Sequence, residues 1–375
     1  MVGAEIPSVE DGLGSAQRAV LRALFELGAT SNGEFIRTER VVARALGVEA
    51  VPSLEEFFEP GWLEREKRDD EDFTWAAFAS SSADLVANLA AARVEAEARH
   101  AATAPGRRAL RHYLALVRLT QDFSVPYPLV EGQGNFGALD GDPPADSFYN
   151  ECRLTPFAER LLADSGRGAK LPVFLVLGSR KPHCVPPHRI DAVASACAAL
   201  LSDDRAEFDL GTPCPPVGDA RFVDPRSFAR DGTGELLVSG RVDFDAERVA
   251  LEIRALPWLT HTDTWHGLLA DLKILEHLAN VEDIRNESDG DRFSLVLALG
   301  QREPPLDTLA RVRALLTVQY PIELRARAGA EKDMPLASRE LLLRFVQHRV
   351  AQEGSLRRVE DQLAEFASFV DVPGL

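Results

Sequence analysis

YPLVEGQGNFGALDGDPPADSFYNECR, residues 127–153, is the stretch of sequence from which the rest of the chain is interpreted. Four of its residues are glycines, which adopt backbone conformations that residues with a side chain avoid. Pro143 and Pro144 then interrupt any regular element and predict a loop. Tyr149 lies just beyond that loop, and the apolar spacing after it predicts a helix that continues through Ala163. The stretch therefore predicts a turn-rich segment that holds one tyrosine in front of a helix.

Length and composition indicate a globular protein of two or three domains. The chain has 375 residues, of which 45% are hydrophobic and 27% are charged, as is usual for a soluble protein with a buried core. No apolar run is long enough to span a bilayer, and the N-terminus lacks the pattern of a secretory signal. A cytoplasmic protein without a membrane partner is therefore expected.

The net charge is −17, which disfavours a protein that is basic over its whole surface. Proteins that bind nucleic acid usually carry a basic patch, because neutralising phosphates releases counterions. With a net negative charge the chain can carry at most a local basic surface, so any binding of duplex DNA is expected to be weak.

The cysteines at positions 152, 184, 197 and 214 show no CxxC spacing, so they are expected to stay reduced. Cys184 lies near His183 and His188, which leaves two interpretations, a zinc site and ordinary loop residues. The loop interpretation is favoured because the sequence offers no second pair of ligands. No metal site is therefore predicted.

Hydrophobic periodicity predicts both helices and strands, and hence an α+β chain. Apolar residues at helical spacing predict helices, while alternation or a short apolar run predicts a strand. The predicted helices cover residues 17–27, 113–119, 190–201 and 337–365. The predicted strands cover residues 171–179, 236–244, 249–253 and 293–299.

Four short motifs in and before the opening stretch are shared with one family. They are DFS, YPLV, EGQGNFG and DGD, at residues 122–124, 127–130, 131–137 and 140–142. With these motifs the chain resembles the A subunit of the bacterial type IIA DNA topoisomerases, gyrase and topoisomerase IV. A match of this length is far more specific than a lone GxG. Residues 283–291, DIRNESDGD, match a further family motif, which is interpreted as structural rather than catalytic.

The resemblance implies a domain order. Residues 1–50 and 105–204 correspond to a winged-helix breakage-reunion domain, and residues 205–333 to an α/β tower domain. Residues 334–375 correspond to the start of a C-terminal helical arm, which is expected to be truncated. Residues 51–104 form an acidic, alanine-rich insertion without a counterpart. It is interpreted either as an arm that binds a partner or as a solvated surface segment.

The resemblance also assigns DNA-binding residues. In the family, basic residues of the winged-helix domain contact DNA phosphates, and Arg18, Arg37 and Arg40 occupy such positions here. Arg107 and Arg108 stand where the family has the motif YHPHGD. Other family cations have no counterpart in this chain, which implies weakened binding of the DNA backbone.

By the same resemblance, Tyr149 corresponds to the nucleophile that attacks a DNA phosphodiester and forms a 5′-phosphotyrosyl intermediate. A phenol, with a pKa near 10, needs neighbouring charge to react. Phe148 stands where the family has an arginine, and the two histidines of YHPHGD are missing. Tyr149 is thus either a retained nucleophile or a tyrosine kept by the scaffold. With several groups lost together, strongly impaired catalysis is expected, and whether the chain is an enzyme stays open.

The resemblance implies partners rather than cofactors of the chain itself. Magnesium and ATP belong to a B-type partner protein in this family, and a homodimer or heterodimer is expected. The function implied is that of a divergent subunit of a DNA topoisomerase. Two alternatives stay open. One is a non-catalytic paralogue that binds a topoisomerase subunit or another protein. The other is a plain DNA-binding module, which predicts salt-sensitive binding.

Overall fold

A computed structural model describes ten ranges of the chain. They are residues 7–51, 104–139, 143–163, 168–178, 185–258, 272, 281–289, 292–300, 306–327 and 334–368. Helices and strands are mixed throughout these ranges, which confirms the predicted α+β class. Residues 52–103, nearly all of the predicted insertion, lie outside them. Within the described ranges, no helix is long and apolar enough to cross a membrane.

Three helices and a three-stranded sheet form the unit that contains Tyr149. The helices are α1 (Ser15–Glu26), α2 (Thr38–Leu46) and α3 (Ala104–Thr120). The strands are β1 (Ile36–Arg37), β2 (Val130–Gln133) and β3 (Glu151–Leu154), in the antiparallel order β1-β3-β2. The three helices pack against one another, and α1 and α3 also contact the sheet.

Helix α1 confirms the helix predicted over residues 17–27. Val20, Leu21 and Leu24 are fully buried, as their helical spacing requires. The Gln17 side chain accepts a hydrogen bond from the Gly14 main-chain nitrogen at 3.0 Å, which closes the first turn. Helix α2 ends at Gly47, whose φ of +67° is the left-handed conformation that glycine adopts easily.

The predicted helix from Tyr149 to Ala163 is wrong in its first part. Residues 151–154 form β3, the central strand of the sheet, and only Pro156–Leu161 form a helix, α4. Thr155 separates the two elements, because its side-chain oxygen accepts a hydrogen bond from the Ala158 main-chain nitrogen at 3.1 Å. Leu154 and Phe157 are both buried, so the apolar spacing was real but belonged to two elements.

The predicted strand over residues 171–179 is also wrong. Val173–Leu177 form a short helix, α5, in which every residue is buried. An apolar run that is buried on all sides has no periodicity to distinguish helix from strand. Before α5 lies a hairpin of β4 (Leu162–Ala163) and β5 (Gly168–Ala169), and after it comes α6 (Ile190–Ser202). Helix α6 confirms the helix predicted over residues 190–201.

The predicted strand over residues 236–244 is in fact two strands in two sheets. Strand β7 (Thr233–Ser239) lies between β6 (Asp219–Phe222) and β12 (Thr317–Glu323), with α7 (Pro225–Asp231) between β6 and β7 in the chain. The chain then leaves this sheet at Gly240. A Cβ at Gly240 would lie 2.4 Å from the Ala255 carbonyl oxygen. The close approach of these two main-chain segments, where the chain passes from one sheet to the next, therefore requires glycine.

The second sheet contains β8 (Arg241–Asp245), β9 (Ala250–Ala255), β10 (Val281–Asn286) and β11 (Leu295–Leu299). Its order is β10-β11-β9-β8, and all neighbouring pairs are antiparallel. Strand β9 confirms the strand predicted over residues 249–253, and β11 confirms the strand predicted over residues 293–299. This sheet and α8 (Leu306–Leu315) enclose a small core of their own, which includes Leu251, Leu297 and Val312.

The sheet β12-β7-β6 belongs to the larger core instead, together with the N-terminal unit. Residues 205–333 are thus divided between two hydrophobic cores in the structure. The domain boundaries stay a prediction.

The predicted helix over residues 337–365 is two helices. After a short hairpin of β13 (Arg325–Ala326) and β14 (Met334–Pro335), α9 (Ser338–Glu353) ends at Gly354 and α10 (Leu356–Ala367) follows. Helix α10 packs against α6, and its Phe366 is fully buried in the larger core. Arg349, which is 1% exposed, donates hydrogen bonds to Gln352 and Gln362 at 2.6 and 2.9 Å and so joins the two helices.

Candidate functional site

Tyr149 lies on a tight turn at the surface. Its side chain is 63% exposed, whereas most large hydrophobic side chains of the described residues are buried. The turn is closed by a hydrogen bond from the Tyr149 main-chain nitrogen to the Asp146 carbonyl oxygen, at 3.0 Å. The Asp146 carboxylate also accepts from the Phe148 main-chain nitrogen at 3.1 Å. The turn therefore presents the phenol outward.

A buried asparagine fixes this turn from below. Asn150 is fully buried, and its amide nitrogen donates to the Tyr113 hydroxyl at 2.8 Å and to the Asn135 carbonyl oxygen at 2.7 Å. Its amide oxygen accepts from the Asn135 main-chain nitrogen at 2.9 Å. The Tyr113 hydroxyl in turn donates to the Ala145 carbonyl oxygen at 2.6 Å. A buried polar network that is satisfied in this way gives the turn one defined position.

Gly134 makes the network possible. Its φ of +112° lies in the region that residues with a side chain rarely adopt. A Cβ at this position would lie 2.3 Å from the Asn150 amide oxygen. The glycine-rich stretch is therefore required because it lets the loop approach the residue that follows Tyr149.

The first turn of α2 holds the tyrosine turn from the other side. The Thr38 main-chain nitrogen donates to the Asn150 carbonyl oxygen at 2.9 Å, and its hydroxyl donates to the Ser147 carbonyl oxygen at 2.5 Å. The Glu39 main-chain nitrogen donates to the same Ser147 oxygen at 3.2 Å. These bonds use main-chain donors that the start of a helix leaves unpaired. They fix α2 directly beside Tyr149.

These bonds bring the start of α2, with Arg37 and Arg40, beside the turn that carries Tyr149, and the assignment of the two arginines to DNA binding stays a prediction. Both flank the α2 turn that is bonded to the tyrosine turn, and both side chains are exposed. Arg37 also pairs with Glu151 in the register of β1 and β3, two residues after Tyr149.

Arg18 is placed differently. Its guanidinium forms two hydrogen bonds with the Asp11 carboxylate, at 2.9 and 2.7 Å, and Asp11 is buried. This paired geometry is the strongest that an arginine and a carboxylate make. A phosphate contact by Arg18 would compete with this internal ion pair. The structure instead gives Arg18 a role in fixing residues 11–14, which precede α1.

Arg107 and Arg108 are exposed on α3, and the same helix carries two basic residues that the sequence interpretation missed. Arg111 is exposed and lies one turn after Arg107 and Arg108. His112 Nδ1 lies 2.8 Å from the Arg108 carbonyl oxygen. Since a carbonyl only accepts, Nδ1 carries the proton and Nε2 is left to face a ligand or water. The i, i+3 and i, i+4 spacing of the arginines is the signal that would have identified this face.

Helix α3 contacts the loop that leads into the tyrosine turn through the Tyr113 hydroxyl, whereas its exposed arginines lie on the other side of the helix from the buried Tyr113. We call the set formed by Arg37, Arg40, Arg107, Arg108 and Arg111 the arginine surface. All five are exposed arginines, in a chain whose net charge is −17.

Comparison with known proteins finds one family over the part of the chain that contains Tyr149. A family model that describes the A subunit of DNA gyrase/topoisomerase IV matches residues 109–168, the range that contains most of α3, the glycine-rich stretch and Tyr149. The gyrase A subunit of Aminobacterium colombiense is 25% identical over 388 residues, which cover 93% of this chain. The chain is thus similar to DNA gyrase A subunits over most of its own length and over 40% of the length of that relative.

Two further relatives show how far the likeness extends. The chloroplastic/mitochondrial gyrase A subunit of Nicotiana benthamiana is 27% identical over 84% of this chain and 32% of its own length. The gyrase A subunit of Granulibacter bethesdensis is 30% identical over 67% of this chain and 30% of its own length. The chain thus spans about a third of the length of these gyrase A subunits.

Phe148, directly before the tyrosine, is apolar, and Arg153, four residues after it, is engaged in an ion pair. Phe148 is partly buried and packs against the larger core. The Arg153 guanidinium donates to the Glu131 carboxylate at 2.9 and 3.2 Å and lies 4.3 Å from the centre of the Phe35 ring. The positive charge nearest to the tyrosine in sequence is therefore tied to the sheet.

No metal site accompanies this arrangement in the part of the chain that the structure describes, where no group of three or more His, Cys, Asp or Glu side chains is placed to hold an ion. His183 and Cys184, from the zinc interpretation, lie outside the described residues. His188 is fully buried and stacks on Phe222 and Phe228, with ring centres 5.9 and 6.0 Å away.

Proposed function

We propose that this chain is a DNA-binding subunit of the type IIA topoisomerase kind, whose arginine surface binds the backbone of duplex DNA and whose strand cleavage is strongly impaired. The observation that carries this proposal is the set of hydrogen bonds between the first turn of α2 and the tyrosine turn. They hold exposed Arg37 and Arg40 beside exposed Tyr149. An arginine guanidinium recognises phosphate oxygens with paired hydrogen bonds, and such contacts do not depend on base sequence.

The fold is consistent with this function. Under the proposal, α1 to α3 and the sheet β1-β3-β2 form the winged-helix part of a breakage-reunion domain. The sheet β10-β11-β9-β8 then corresponds to the tower. Helix α2 would lie against the DNA, since it supplies arginines on the side where the tyrosine turn is exposed.

Impaired cleavage follows from the chemistry around Tyr149. Attack of the phenol oxygen on a phosphodiester requires loss of the phenol proton, and negative charge develops on the phosphoryl oxygens in the transition state. Phe148 offers neither charge nor a hydrogen bond at the neighbouring position. Removal of one stabilising donor alone typically slows such a reaction by about 10²- to 10³-fold. Arg37 and Arg40 can bind the phosphate, but an arginine is a poor proton acceptor at neutral pH.

The partners of the proposed function are a second A-type chain and a B-type protein of the same enzyme. Magnesium and ATP would be supplied by the B-type protein rather than by this chain. The alternative, an interaction protein that does not bind DNA, is separated from the proposal by the following experiment.

The double variant Arg37→Ala/Arg40→Ala is expected to bind duplex DNA more weakly, by a factor that does not depend on the base sequence. The slope of log affinity against log salt is negative, and each lost phosphate contact makes it shallower by about 0.9, so the magnitude of the slope should fall by about 1.8. Fluorescence anisotropy with a labelled duplex of about 30 base pairs, over a series of salt concentrations, measures this slope.

The matched control is Arg221→Ala/Arg226→Ala, which removes the same charge from exposed positions on β6 and α7. Its slope should equal that of the parent. If the parent does not bind, or if both double variants reduce the slope equally, the assignment of DNA binding to the arginine surface is wrong.

A further inference from the structure

Glu39 is a carboxylate placed within the arginine surface. It lies two residues after Arg37 and directly before Arg40, on the first turn of α2. Its main-chain nitrogen is bonded to the Ser147 carbonyl oxygen, two residues before Tyr149. Neither the sequence motifs nor the proposed chemistry uses this residue.

The carboxylate of Glu39 is incompletely paired. Its Oε2 atom is buried and has no hydrogen-bond partner among the described residues. A buried carboxylate oxygen that stays unpaired destabilises a fold, and such groups are usually paired. Burial raises the pKa of Glu39, against the opposing effects of hydrogen bonds from the Glu39 and Arg40 main chain to its carboxylate and of the charges of Arg37 and Arg40. A structural acid in this position would be expected to form an ion pair, as Glu26 does with Arg22 and Arg44.

We propose that Glu39 is a counter-charge that limits the affinity of the arginine surface for DNA phosphates. This inference rests on the proposed function. An ionised carboxylate between two arginines reduces the positive potential that a phosphate meets. It also repels the phosphate directly over a short distance, where screening by salt is incomplete. The ligand class concerned is the phosphodiester backbone, so the effect should not depend on base sequence.

The variant Glu39→Gln tests the proposal, since glutamine keeps the size of the side chain and removes its charge. Affinity for a labelled duplex of about 30 base pairs is expected to rise about 5-fold at about 50 mM salt, and by less at about 200 mM. Glu49→Gln is the matched control. It makes the same charge change at an exposed position beyond the other end of α2, and it should change the affinity less than about 2-fold.

The midpoint of urea unfolding shows that the variant folds. Glu39→Gln should be at least as stable as the parent, because an unpaired charge is removed from a partly buried position.

The outcomes separate this inference from the proposed function. If Arg37→Ala/Arg40→Ala weakens binding while Glu39→Gln leaves it unchanged, the counter-charge is refuted and DNA binding by the arginine surface stands. Equal gains from Glu39→Gln and Glu49→Gln also refute it, since the effect would then be one of net charge. If the arginine double variant has no effect, the proposed function itself fails.

Discussion

Replacement of Trp258 by alanine is expected to lower the free energy of unfolding by about 3–5 kcal/mol, the usual range for deletion of a large aromatic side chain from a core. Trp258 is fully buried and heads the set of largest buried side chains among the described residues. It packs in the larger core three residues after the end of β9, a strand that belongs to the second sheet. Its indole nitrogen lies 3.5 Å from the Ser124 carbonyl oxygen, within the motif at residues 122–124.

Urea unfolding followed by far-ultraviolet circular dichroism measures this change. Val48→Ala serves as the control, because Val48 is 45% exposed and its truncation should alter stability by no more than about 0.5 kcal/mol. A loss of less than about 1 kcal/mol for Trp258→Ala would contradict the position assigned to this side chain.

The second large effect is expected on acidification and is assigned to His188. Neither of its ring nitrogens has a hydrogen-bond partner of ordinary geometry among the described residues. Burial lowers the pKa of His188 to about 4, against weaker opposing effects of the Leu175 and Pro186 main chain and of Asp209. In the unfolded chain a histidine has a pKa of about 6.5.

Between pH 6.5 and 4 the unfolded chain therefore binds a proton at this residue that the folded chain does not bind. Stability rises with pH wherever the unfolded state binds more protons, so it should fall as the pH drops through this window. The contribution of His188 to this fall is about 3 kcal/mol and is complete below about pH 4.

His188→Leu isolates this contribution, because leucine is similar in size and does not titrate. The free energy of unfolding of the parent, measured by urea at intervals from pH 7.5 to pH 4, should fall below that of the variant progressively as the pH decreases. Parallel profiles for the two proteins would show that His188 is not buried in its neutral form.

Helices and strands could be predicted where hydrophobic residues recur with a clear period along the sequence. Helix α1 followed from the spacing of Val20, Leu21 and Leu24, and α6 followed in the same way. The failures share a physical cause, which is that a local pattern cannot show which distant element it packs against. Residues 173–177 are buried on all sides, so their hydrophobic residues show no periodicity. In residues 236–244 apolar and polar residues alternate through Gly240, although the chain passes from one sheet to another there.

The candidate site, too, could be predicted only in part from the sequence. Tyr149 and the glycine-rich stretch were identified from the sequence, through a resemblance that the gyrase A relatives confirm. The residues that fix the tyrosine turn, Asn150 and Thr38, were not identified, because they act through hydrogen bonds to residues that are distant in the sequence. The Thr38 hydroxyl, for example, donates to a carbonyl oxygen 109 residues away. Only the structure shows that these bonds bring α2 to the tyrosine, whereas Arg111 could have been found from its spacing on α3.

Under the proposed function, this chain binds DNA through the arginine surface but does not cleave it usefully. The most direct measurement traps covalent complexes. Parent and Tyr149→Phe proteins are each incubated with supercoiled plasmid, magnesium, ATP and a B-type partner protein from the same source, then denatured and treated with protease. We expect the same background of linear and nicked plasmid in both samples, although the parent binds DNA in the salt titration. Linear plasmid with protein attached through Tyr149 in the parent, and none with Tyr149→Phe, would contradict this account.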